Sequence, residues 1–346
     1  MKCSLATTNS TGVLALWLSL TGVALGQPLS DISGELTFGS QTVLERLWSP
    51  EERQGNPNDR KIRRLRTPDH APPARTLPVT ASAPLPVTLQ HSIRGVKPAG
   101  DYKPIALTFD LCERADDVTG YDAGIVNVLR QEKVHATFFA GGRWMRSHPE
   151  KTLQLMADPL FEIGNHGWSH GNLGVLTDGK LADQILWTQA QYELLRETLR
   201  DRAMALNIDP REMDKIPRTP ATFRPPYGRC RPEALNVLAS HGLEAIQWSV
   251  VSGDAVNRQT PERIIKTVLS QAAPGAIVVF HANGRGYGTA AALPVIIKAL
   301  KAKGYDFVTV SELLRSGEVI AAEDCYELSP GDNRRYDRLF GEGTGE

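Results

Sequence analysis

Ionisable side chains follow several apolar runs of this 346-residue sequence, each near the point where the run ends. They are Asp110, His166, Arg224, Asp254 and His281. A carboxylate and a histidine can exchange protons with a substrate near neutral pH, and an arginine can keep a neighbouring carboxylate ionised. Residues of these types, if one fold brings them together, are typical of acid–base catalysis.

The second of these positions belongs to a pair, because His170 lies four residues after His166. Two histidines at this spacing share one face of a helical turn, so both rings can bind the same metal ion. A pair of surface or capping histidines is the ordinary structural alternative. The position directly after an apolar run favours the metal interpretation.

The remaining candidates have complementary chemistry. Asp110 is a candidate general base, and Arg224 precedes a stiff Pro-Pro turn that holds its guanidinium with little entropy left to lose. An acidic partner such as Asp254 would raise the pKa of His281 and make it a proton donor. A metal that activates water, a base and an acid together form a hydrolytic set. Without such neighbours, Asp110 would be interpreted as a helix cap and His281 as a core histidine.

Short apolar runs alternate with stretches of helical periodicity from residue 104 onward. This alternation predicts a parallel sheet. Seven such units favour a barrel, with a doubly wound open sheet as the alternative, and the chemistry of a barrel lies at the C-terminal ends of its strands. The predicted strands are 105–110, 135–139, 161–165, 221–224, 244–249, 276–281 and 306–309. The predicted helices lie near 120–131, 148–157, 178–204, 231–241, 261–271, 290–302 and 310–316.

The two ends of the chain differ from this pattern. Residues 1–26 have Lys2 as their only charged residue and a short apolar core, which predicts a signal peptide cleaved near Gly26 and export to the periplasm or the medium. An uncleaved anchor is the alternative. Residues 27–100 are rich in Pro and Arg and are predicted to be a low-order segment or linker. The predicted catalytic domain is 101–316, and the predicted C-terminal tail is 317–346.

Charge and cysteine content add further expectations. Lys+Arg and Asp+Glu both number 39, so no net field points to a nucleic-acid partner. The basic run RKIRRLR at 60–66 could contact an anionic envelope, although a solvated segment is the commoner interpretation. Export would place Cys112, Cys230 and Cys325 in an oxidising compartment. We expect a disulfide between Cys112 and Cys230, because each follows a site motif on a neighbouring rim.

The motifs around these residues resemble, in order, those of the polysaccharide deacetylases, which share their domain with the nodulation-type chitooligosaccharide deacetylases. The similar motifs are LTFD (107–110), HGWSH (166–170), FRPPYG (223–228), a degraded one around Asp254, and IVVFH (277–281). The resemblance covers roughly residues 103–315. It implies an α/β fold with a distorted (β/α) barrel of about seven parallel strands. It also implies metal-dependent removal of acetyl groups from N-acetylated sugars of an envelope or extracellular polysaccharide.

The resemblance implies a role for each matched residue. The expected catalytic residues are Asp110 as the base, Arg224 to orient it, His281 as the acid and Asp254 as the partner of His281. The expected metal ligands are His166 and His170. The backbone amide of Tyr227 would help to bind the oxyanion, and Trp248 would contribute to the sugar site.

One departure from the family pattern concerns the metal. Leu111 stands where the family has a second aspartate that completes the metal site. Because leucine cannot bind a metal, Glu113 is the nearest replacement ligand, and a Cys112 thiolate is another. Histidine and carboxylate ligands suit zinc, and also cobalt or nickel. We therefore expect a divalent metal, with zinc as the first choice.

A second departure is Ala255, which follows Asp254 where the family has tryptophan. Trp168 or Trp248 would then supply the missing wall of the sugar pocket. These departures leave two other functions open. One is a non-catalytic glycan-binding module on the same fold, and the other is an amidohydrolase or esterase for a non-glycan acyl group. Nothing in the sequence indicates an oligomeric state.

Overall fold

Short strands and longer helices alternate along the chain in a computed structural model that describes residues 36–345; the predicted signal peptide lies outside these residues. The strands are β1 (Arg63–Arg64), β2 (Ser92–Pro98), β3 (Pro104–Leu111), β4 (Asp117–Val118), β5 (Ala136–Ala140), β6 (Phe161–Asn165), β7 (Thr222–Phe223), β8 (Glu244–Ile246), β9 (Val250–Val251), β10 (Ala276–His281), β11 (Asp306–Phe307) and β12 (Gly317–Ala322). The helices are α1 (Gln41–Leu47), α2 (Pro50–Gln54), α3 (Ala123–Glu132), α4 (Gly142–Ser147), α5 (Pro149–Ala157), α6 (Asp178–Ala205), α7 (Arg211–Asp214), α8 (Pro232–Ser240), α9 (Pro261–Gln271), α10 (Thr289–Ala302), α11 (Val310–Leu314) and α12 (Arg335–Phe340).

The main sheet closes on itself, which confirms the predicted barrel. The closed ring runs β3-β5-β6-β7-β8-β2-β10 and returns to β3, because β3 pairs with both β5 and β10. Neighbouring strands are parallel except at one place, where β10 meets β2 in a single antiparallel pairing of Ala276 with Gly95. The barrel is therefore a seven-stranded mixed barrel rather than a wholly parallel one.

One strand of the ring is not the strand that the sequence predicted. The predicted strand at 306–309 forms β11, which pairs with the first residues of β3 and lies outside the ring. The ring is completed instead by β2, which comes from the segment predicted to be a linker. The sequence SIRGVKP contains glycine and proline, and its pairing partner β8 is far along the chain, so no local pattern marked it as a strand.

The segment before residue 100 also contributes to the packing around the barrel. Val43, Leu44 and Trp48 of α1 and its C-cap are buried in the same apolar cluster as the barrel strands. The basic run at 60–66 is held at the barrel rim, since β1 pairs with β4 and Arg64 forms an ion pair with Asp116. The division of the chain at residue 100 remains a prediction, but residues 36–345 pack as one unit.

The residues after 316, predicted to be a tail, are attached to the barrel at several points. Strand β12 pairs with β2, and Cys325 forms a disulfide with Cys230. The expected disulfide between Cys112 and Cys230 is therefore wrong, and Cys112 is a buried free thiol. The closeness of the two site loops does not determine which cysteines form the disulfide. Strand β12 pairs with β2, and this contact returns the C-terminal segment to the loop after β7, where Cys230 lies.

Strand β3 is the centre of the core and carries the first site motif. All eight of its residues are buried, and Phe109 stacks on Phe138 of β5 and Phe280 of β10 at 5.3 and 5.4 Å. Removing one such ring from water is worth roughly 1.5–3 kcal/mol. The register of β3 with β10 places Asp110 beside His281, so the core packing also aligns the strand ends. Among residues 36–345, no helix combines the length and apolarity needed to cross a membrane.

We predict that the disulfide contributes substantially to stability. It closes a loop between residues 95 positions apart, for which loop-closure entropy gives about 4–5 kcal/mol. A reductant should therefore lower the thermal midpoint of the wild-type protein but not that of the doubly substituted Cys230→Ser/Cys325→Ser protein. Equal responses of the two proteins to the reductant would contradict this prediction.

Candidate active site

A buried ion pair joins the ends of two barrel strands. The Arg224 guanidinium, which has no exposed side-chain surface, donates a hydrogen bond to Asp110 Oδ1 at 3.0 Å. It also donates to Thr108 Oγ1 at 2.6 Å and to the backbone carbonyls of Ile246 and Gln247 at the end of β8. Burial by itself would raise the pKa of Asp110, but the positive charge of Arg224 holds that pKa below its usual range. Asp110 is thus an ionised, oriented carboxylate.

A second pair stands beside the first. Strand β10 ends at His281, whose Nδ1 lies 2.9 Å from Asp254 Oδ1. The other oxygen of Asp254 accepts hydrogen bonds from the His281 backbone N–H at 2.8 Å and from Thr289 Oγ1 at 2.7 Å. Burial opposes the charged imidazolium, yet the Asp254 carboxylate raises the pKa of His281 above its ordinary value. A histidine held in this way can donate a proton from Nε2.

Three potential metal ligands converge next to these pairs. One ligand atom each from Cys112, His166 and His170 lies within 4.8 Å of the others. His166 Nδ1 is 2.8 Å from the Arg224 carbonyl, so Nδ1 carries the proton and the lone pair is on Nε2. The buried Nε2 has no hydrogen-bond partner among the described residues. Burial lowers the pKa of both histidines and therefore favours the neutral rings that bind metals.

This donor set fits a divalent metal. Two neutral imidazoles and a thiol would supply three protein ligands, the number that catalytic zinc sites use. Burial raises the pKa of the Cys112 thiol to about 12, a value that a coordinating cation overrides because a coordinating thiol is deprotonated outright. The structure therefore brings His166 and His170 together as expected and adds Cys112, which the sequence offered only as a second choice.

Glu113, the first choice from the sequence, is not part of this cluster. Its carboxylate accepts hydrogen bonds from Ser147 Oγ at 2.7 Å and from the Thr119 backbone at 3.1 Å, and burial raises its pKa to about 7. The reason is the pleat of β3 and its extension, in which alternate residues face the same side. Cys112 therefore follows Asp110 toward the site, while Leu111 is fully buried in the apolar core.

The other two predicted residues border the site. Tyr227 has a left-handed backbone (φ 59°), and its hydroxyl donates to the Gly343 carbonyl at 2.9 Å, while its ring lies edge-on to His170. Trp248 is buried, donates from Nε1 to the Glu327 carbonyl and lies against the Arg224 guanidinium. Both side chains are thus held by the C-terminal segment, and their expected roles in substrate binding remain predictions.

Several supporting residues carried no signal in the sequence. The Thr108 hydroxyl accepts a hydrogen bond from Arg224, and the Thr289 hydroxyl donates one to Asp254. The Asn165 side chain, at the end of β6, accepts a hydrogen bond from the Gly167 backbone and donates one to a carbonyl of helix α6. These two hydrogen bonds shape the loop between the two histidines. Only alternation along β3 could have suggested Thr108, because it lies two residues before Asp110 on the same face.

Comparison with known sequences agrees with the motif order. Residues 97–204 match the family model of the polysaccharide deacetylases. A peptidoglycan-N-acetylglucosamine deacetylase of Bacillus cereus is 33% identical over 216 residues, which cover 62% of this chain and 89% of that protein. Peptidoglycan-N-acetylglucosamine deacetylase PgdA of Listeria monocytogenes is 31% identical over 211 residues. The match covers 61% of this chain but only 39% of the Listeria protein.

Comparison with solved structures gives the same barrel. A peptidoglycan N-acetylglucosamine deacetylase solved with a naphthalenyl hydroxamate compound superposes with a TM-score of 0.54 at 25% identity and covers 68% of this chain and 99% of that one. A pseudoenzyme of the CE4 family from Bacillus anthracis superposes with a TM-score of 0.53 at 26% identity and covers 66% and 70% of the two chains.

The fold and the site together define a class. A (β/α) barrel with a carboxylate held by arginine, a histidine held by a carboxylate and a histidine cluster at one rim is the arrangement that metal-dependent hydrolases use. The Bacillus cereus deacetylase is similar to this chain over most of the length of that deacetylase, which identifies the family within this class. The chain belongs to the polysaccharide deacetylase family.

We predict that Cys112, and not Glu113, is the third protein ligand of the metal. After zinc loading and dialysis, Cys112→Ser should retain metal about tenfold more weakly or worse, because loss of one ligand costs at least what loss of an outer-shell partner does. The control Glu113→Gln should retain metal like the wild type, as measured by elemental analysis. Metal loss in Glu113→Gln with retention in Cys112→Ser would contradict the assignment.

We also predict that Arg224→Met destabilises the protein by about 3–5 kcal/mol at pH 7, because it leaves the Asp110 charge buried without its partner. The folded-state pKa of Asp110 is below its unfolded value, so the pair stabilises at neutral pH and this contribution is lost as pH falls through the folded pKa. The cost of the substitution should therefore shrink toward pH 3, as measured by denaturant unfolding.

A matched control for this prediction is Arg200→Met, which breaks the exposed ion pair with Asp201. It should cost less than about 1 kcal/mol at either pH. Equal costs for the two substitutions, or a cost for Arg224→Met that grows at low pH, would contradict the interpretation of the buried pair.

Proposed function

We propose that this protein is a metal-dependent deacetylase that hydrolyses the acetamido group of N-acetylated sugars in an envelope or extracellular polysaccharide. The observation that carries the proposal is the placement of the Asp110–Arg224 and His281–Asp254 pairs next to the Cys112–His166–His170 cluster, with Asp110 Oδ2 3.7 Å from His166 Nε2. Peptidoglycan is the first substrate to test, because the similar Bacillus and Listeria proteins are named as peptidoglycan deacetylases.

The residues of the chain suit each proton movement of amide hydrolysis. Asp110, kept ionised by Arg224, accepts a proton from the attacking water. His281, charged through Asp254, donates a proton to the amine nitrogen as the C–N bond breaks, so that water is divided between acetate and the free amine. The backbone N–H of Tyr227 is a candidate donor to the carbonyl oxygen as it gains charge.

The cluster would hold the metal that this chemistry uses. Cys112, His166 and His170 suit zinc, which prefers nitrogen and sulfur ligands, and His-rich sites also accept cobalt or nickel. When bound, such a cation polarises the acetamide carbonyl and lowers the pKa of water. Arg224 contributes to the site in two ways. Its backbone carbonyl fixes the tautomer of His166, and its guanidinium orients the base Asp110.

Export of the protein is part of the proposal. The predicted signal peptide at 1–26 would direct the chain out of the cytoplasm, where an envelope glycan is accessible. The disulfide between Cys230 and Cys325 supports this location, because disulfides form and persist in oxidising compartments. The basic residues at 60–66 remain candidates for contact with anionic envelope polymers.

A second candidate function is glycan binding without hydrolysis. Leu111, buried in the core, occupies the position of a family metal ligand, and one structural neighbour of this chain is described as a pseudoenzyme. The ion pairs of Asp110 and His281 favour hydrolysis over this alternative, because a protein that only binds glycan has no need of a charged base and a charged acid at one site.

The test of the proposed function is acetate release from a panel of peptidoglycan fragments, N-acetylglucosamine oligomers, O-acetylated glycans and non-glycan amides. We expect release from N-acetylated glycans, loss on chelation, recovery with zinc or cobalt, and a loss of at least about 100-fold in Asp110→Asn. The near-isosteric asparagine preserves the shape of the site, which circular dichroism would verify.

Absence of acetate release across the whole panel, together with glycan binding, would favour the second candidate. Release only from the O-acetyl or non-glycan substrates would instead replace the proposed substrate class.

A further inference from the structure

A buried amide lies in the loop directly after strand β10, and no proton movement of the proposed reaction uses it. It belongs to Asn283, a residue 0% exposed that follows His281 by two positions. A primary amide carries two N–H donors and a carbonyl acceptor, and leaving such a donor buried without a partner costs about 1–3 kcal/mol. The partners of this amide therefore indicate what it holds in place.

The nitrogen of the amide contacts Cys112 twice. Asn283 Nδ2 donates to the Cys112 carbonyl oxygen at 2.7 Å and to Cys112 Sγ at 3.1 Å. Asn283 Oδ1 accepts a hydrogen bond from the Arg285 backbone N–H at 3.2 Å, which assigns the nitrogen and the oxygen of the amide. Because Nδ2 carries two hydrogens, it can serve the carbonyl and the sulfur together. The amide therefore holds both the backbone and the thiol of Cys112.

The register of two barrel strands places the amide beside the thiol. Strands β3 and β10 are parallel, and their paired residues Asp110 and His281 stand side by side. The pairing continues beyond the strand ends, where the Ala282 N–H donates to the Asp110 carbonyl at 3.1 Å. Two residues further on, Cys112 meets Asn283 on the face that carries the first pair, since side chains alternate along an extended chain. The strand ends therefore present two rows, one with the acid–base pair and one with a potential metal ligand and its amide.

The sulfur that the amide contacts also lies beside two histidines. The ligand atoms of Cys112, His166 and His170 lie within 4.8 Å of one another. The Thr119 hydroxyl donates to the Cys112 carbonyl at 2.8 Å, so the backbone of this residue is held from two sides of the loop. A thiolate sulfur has more than one lone pair, so it can accept an N–H and bind a cation at the same time. Hydrogen bonds from an outer partner orient a ligand atom, and hydrogen bonds to sulfur tune metal centres.

We infer that Asn283 is a positioning residue of the candidate metal site. Its amide orients Cys112 Sγ toward His166 and His170 and donates a hydrogen bond to this sulfur in the metal-bound protein. The inference rests on the proposed function for the presence of the metal. An N–H donor withdraws part of the negative charge of a thiolate, which leaves a bound cation a stronger Lewis acid. The alternative is a structural amide that holds only the Cys112 carbonyl.

Cobalt(II) titration of the full chain tests the positioning role. A cobalt–thiolate bond gives a charge-transfer absorption band in the near ultraviolet, which imidazole and carboxylate ligands do not give. We expect this band in the wild type. Asn283→Leu, which has a similar size and no donor, should shift the band and weaken cobalt binding about tenfold or more, the usual effect of losing an outer partner. The affinity is measured by competition with a chelator of known affinity.

Matched variants separate the sulfur contact from a structural effect. In a Cys112→Ala background, Asn283→Leu should change the cobalt affinity less than about twofold, the range within which independent sites add. An equal loss in both backgrounds would overturn the positioning role and leave the structural amide. Asn127→Leu removes an amide of helix α3 that donates to the Gln54 carbonyl, and it should leave the band and the affinity unchanged.

A second substitution at the same position keeps the test decisive if Asn283→Leu does not fold, as judged by the thermal midpoint of the metal-free protein. Asn283→Asp keeps the shape of the side chain and the Oδ1 acceptor for Arg285, but its carboxylate has no N–H donor. It should therefore also shift the cobalt–thiolate band.

The outcomes for the amide, for the ligand and for the proposed function are distinguishable. A cobalt-loaded wild type without the band would overturn both the Cys112 ligand and the role of Asn283. A wild-type band that keeps its position, with unchanged cobalt affinity, in Asn283→Leu and Asn283→Asp would overturn the role of Asn283 alone. A shifted band with weakened binding, and no such weakening in the Cys112→Ala background, would support the role even if the acetate assay shows no release from any substrate.

Discussion

The buried ion pair between Asp110 and Arg224 is the interaction on which the rest of the site depends. A carboxylate at a barrel rim loses its hydration when it is buried, and Asp110 stays ionised because the Arg224 guanidinium offsets that loss. Arg224 is itself held by Thr108 and by two backbone carbonyls at the end of β8. The pair therefore joins β3 to β7 and β8, and the Arg224 carbonyl extends the same network to His166.

The geometry of one strand end explains how the Cys112–His166–His170 cluster differs from the pattern that the family resemblance implies. The pleat of β3 and its extension turns Asp110 and Cys112 toward the site and Leu111 toward the core, so the potential ligand beside the histidines lies two residues after Asp110 and not directly after it. The carboxylate of the next residue, Glu113, points away from the cluster and accepts hydrogen bonds from Ser147 and Thr119. Two imidazoles and a thiol are together a set of side chains that could hold a divalent metal ion.

The segments before and after the predicted catalytic domain form part of the barrel and of its rim. Strand β2 closes the ring, and β12 pairs with β2 before the chain reaches the disulfide at Cys325. From there the C-terminal segment accepts hydrogen bonds from Tyr227 and Trp248. The Arg229–Asp337 ion pair holds the same segment against the loop after β7. Residues outside the matched motifs therefore build part of the wall around the candidate active site.

Local patterns in the sequence determined most of the helices and strands between residues 104 and 316, because hydrophobic periodicity needs only neighbours along the chain. They also predicted which ionisable residues meet at the strand ends, namely Asp110, Arg224, Asp254 and His281. The tertiary structure alone decided that β2 closes the barrel, that Cys230 pairs with Cys325, and that Cys112 rather than Glu113 joins the histidines. Each of these depends on contacts between residues that are distant in sequence, or on the direction of one side chain at a strand end, and neither leaves a periodic signal.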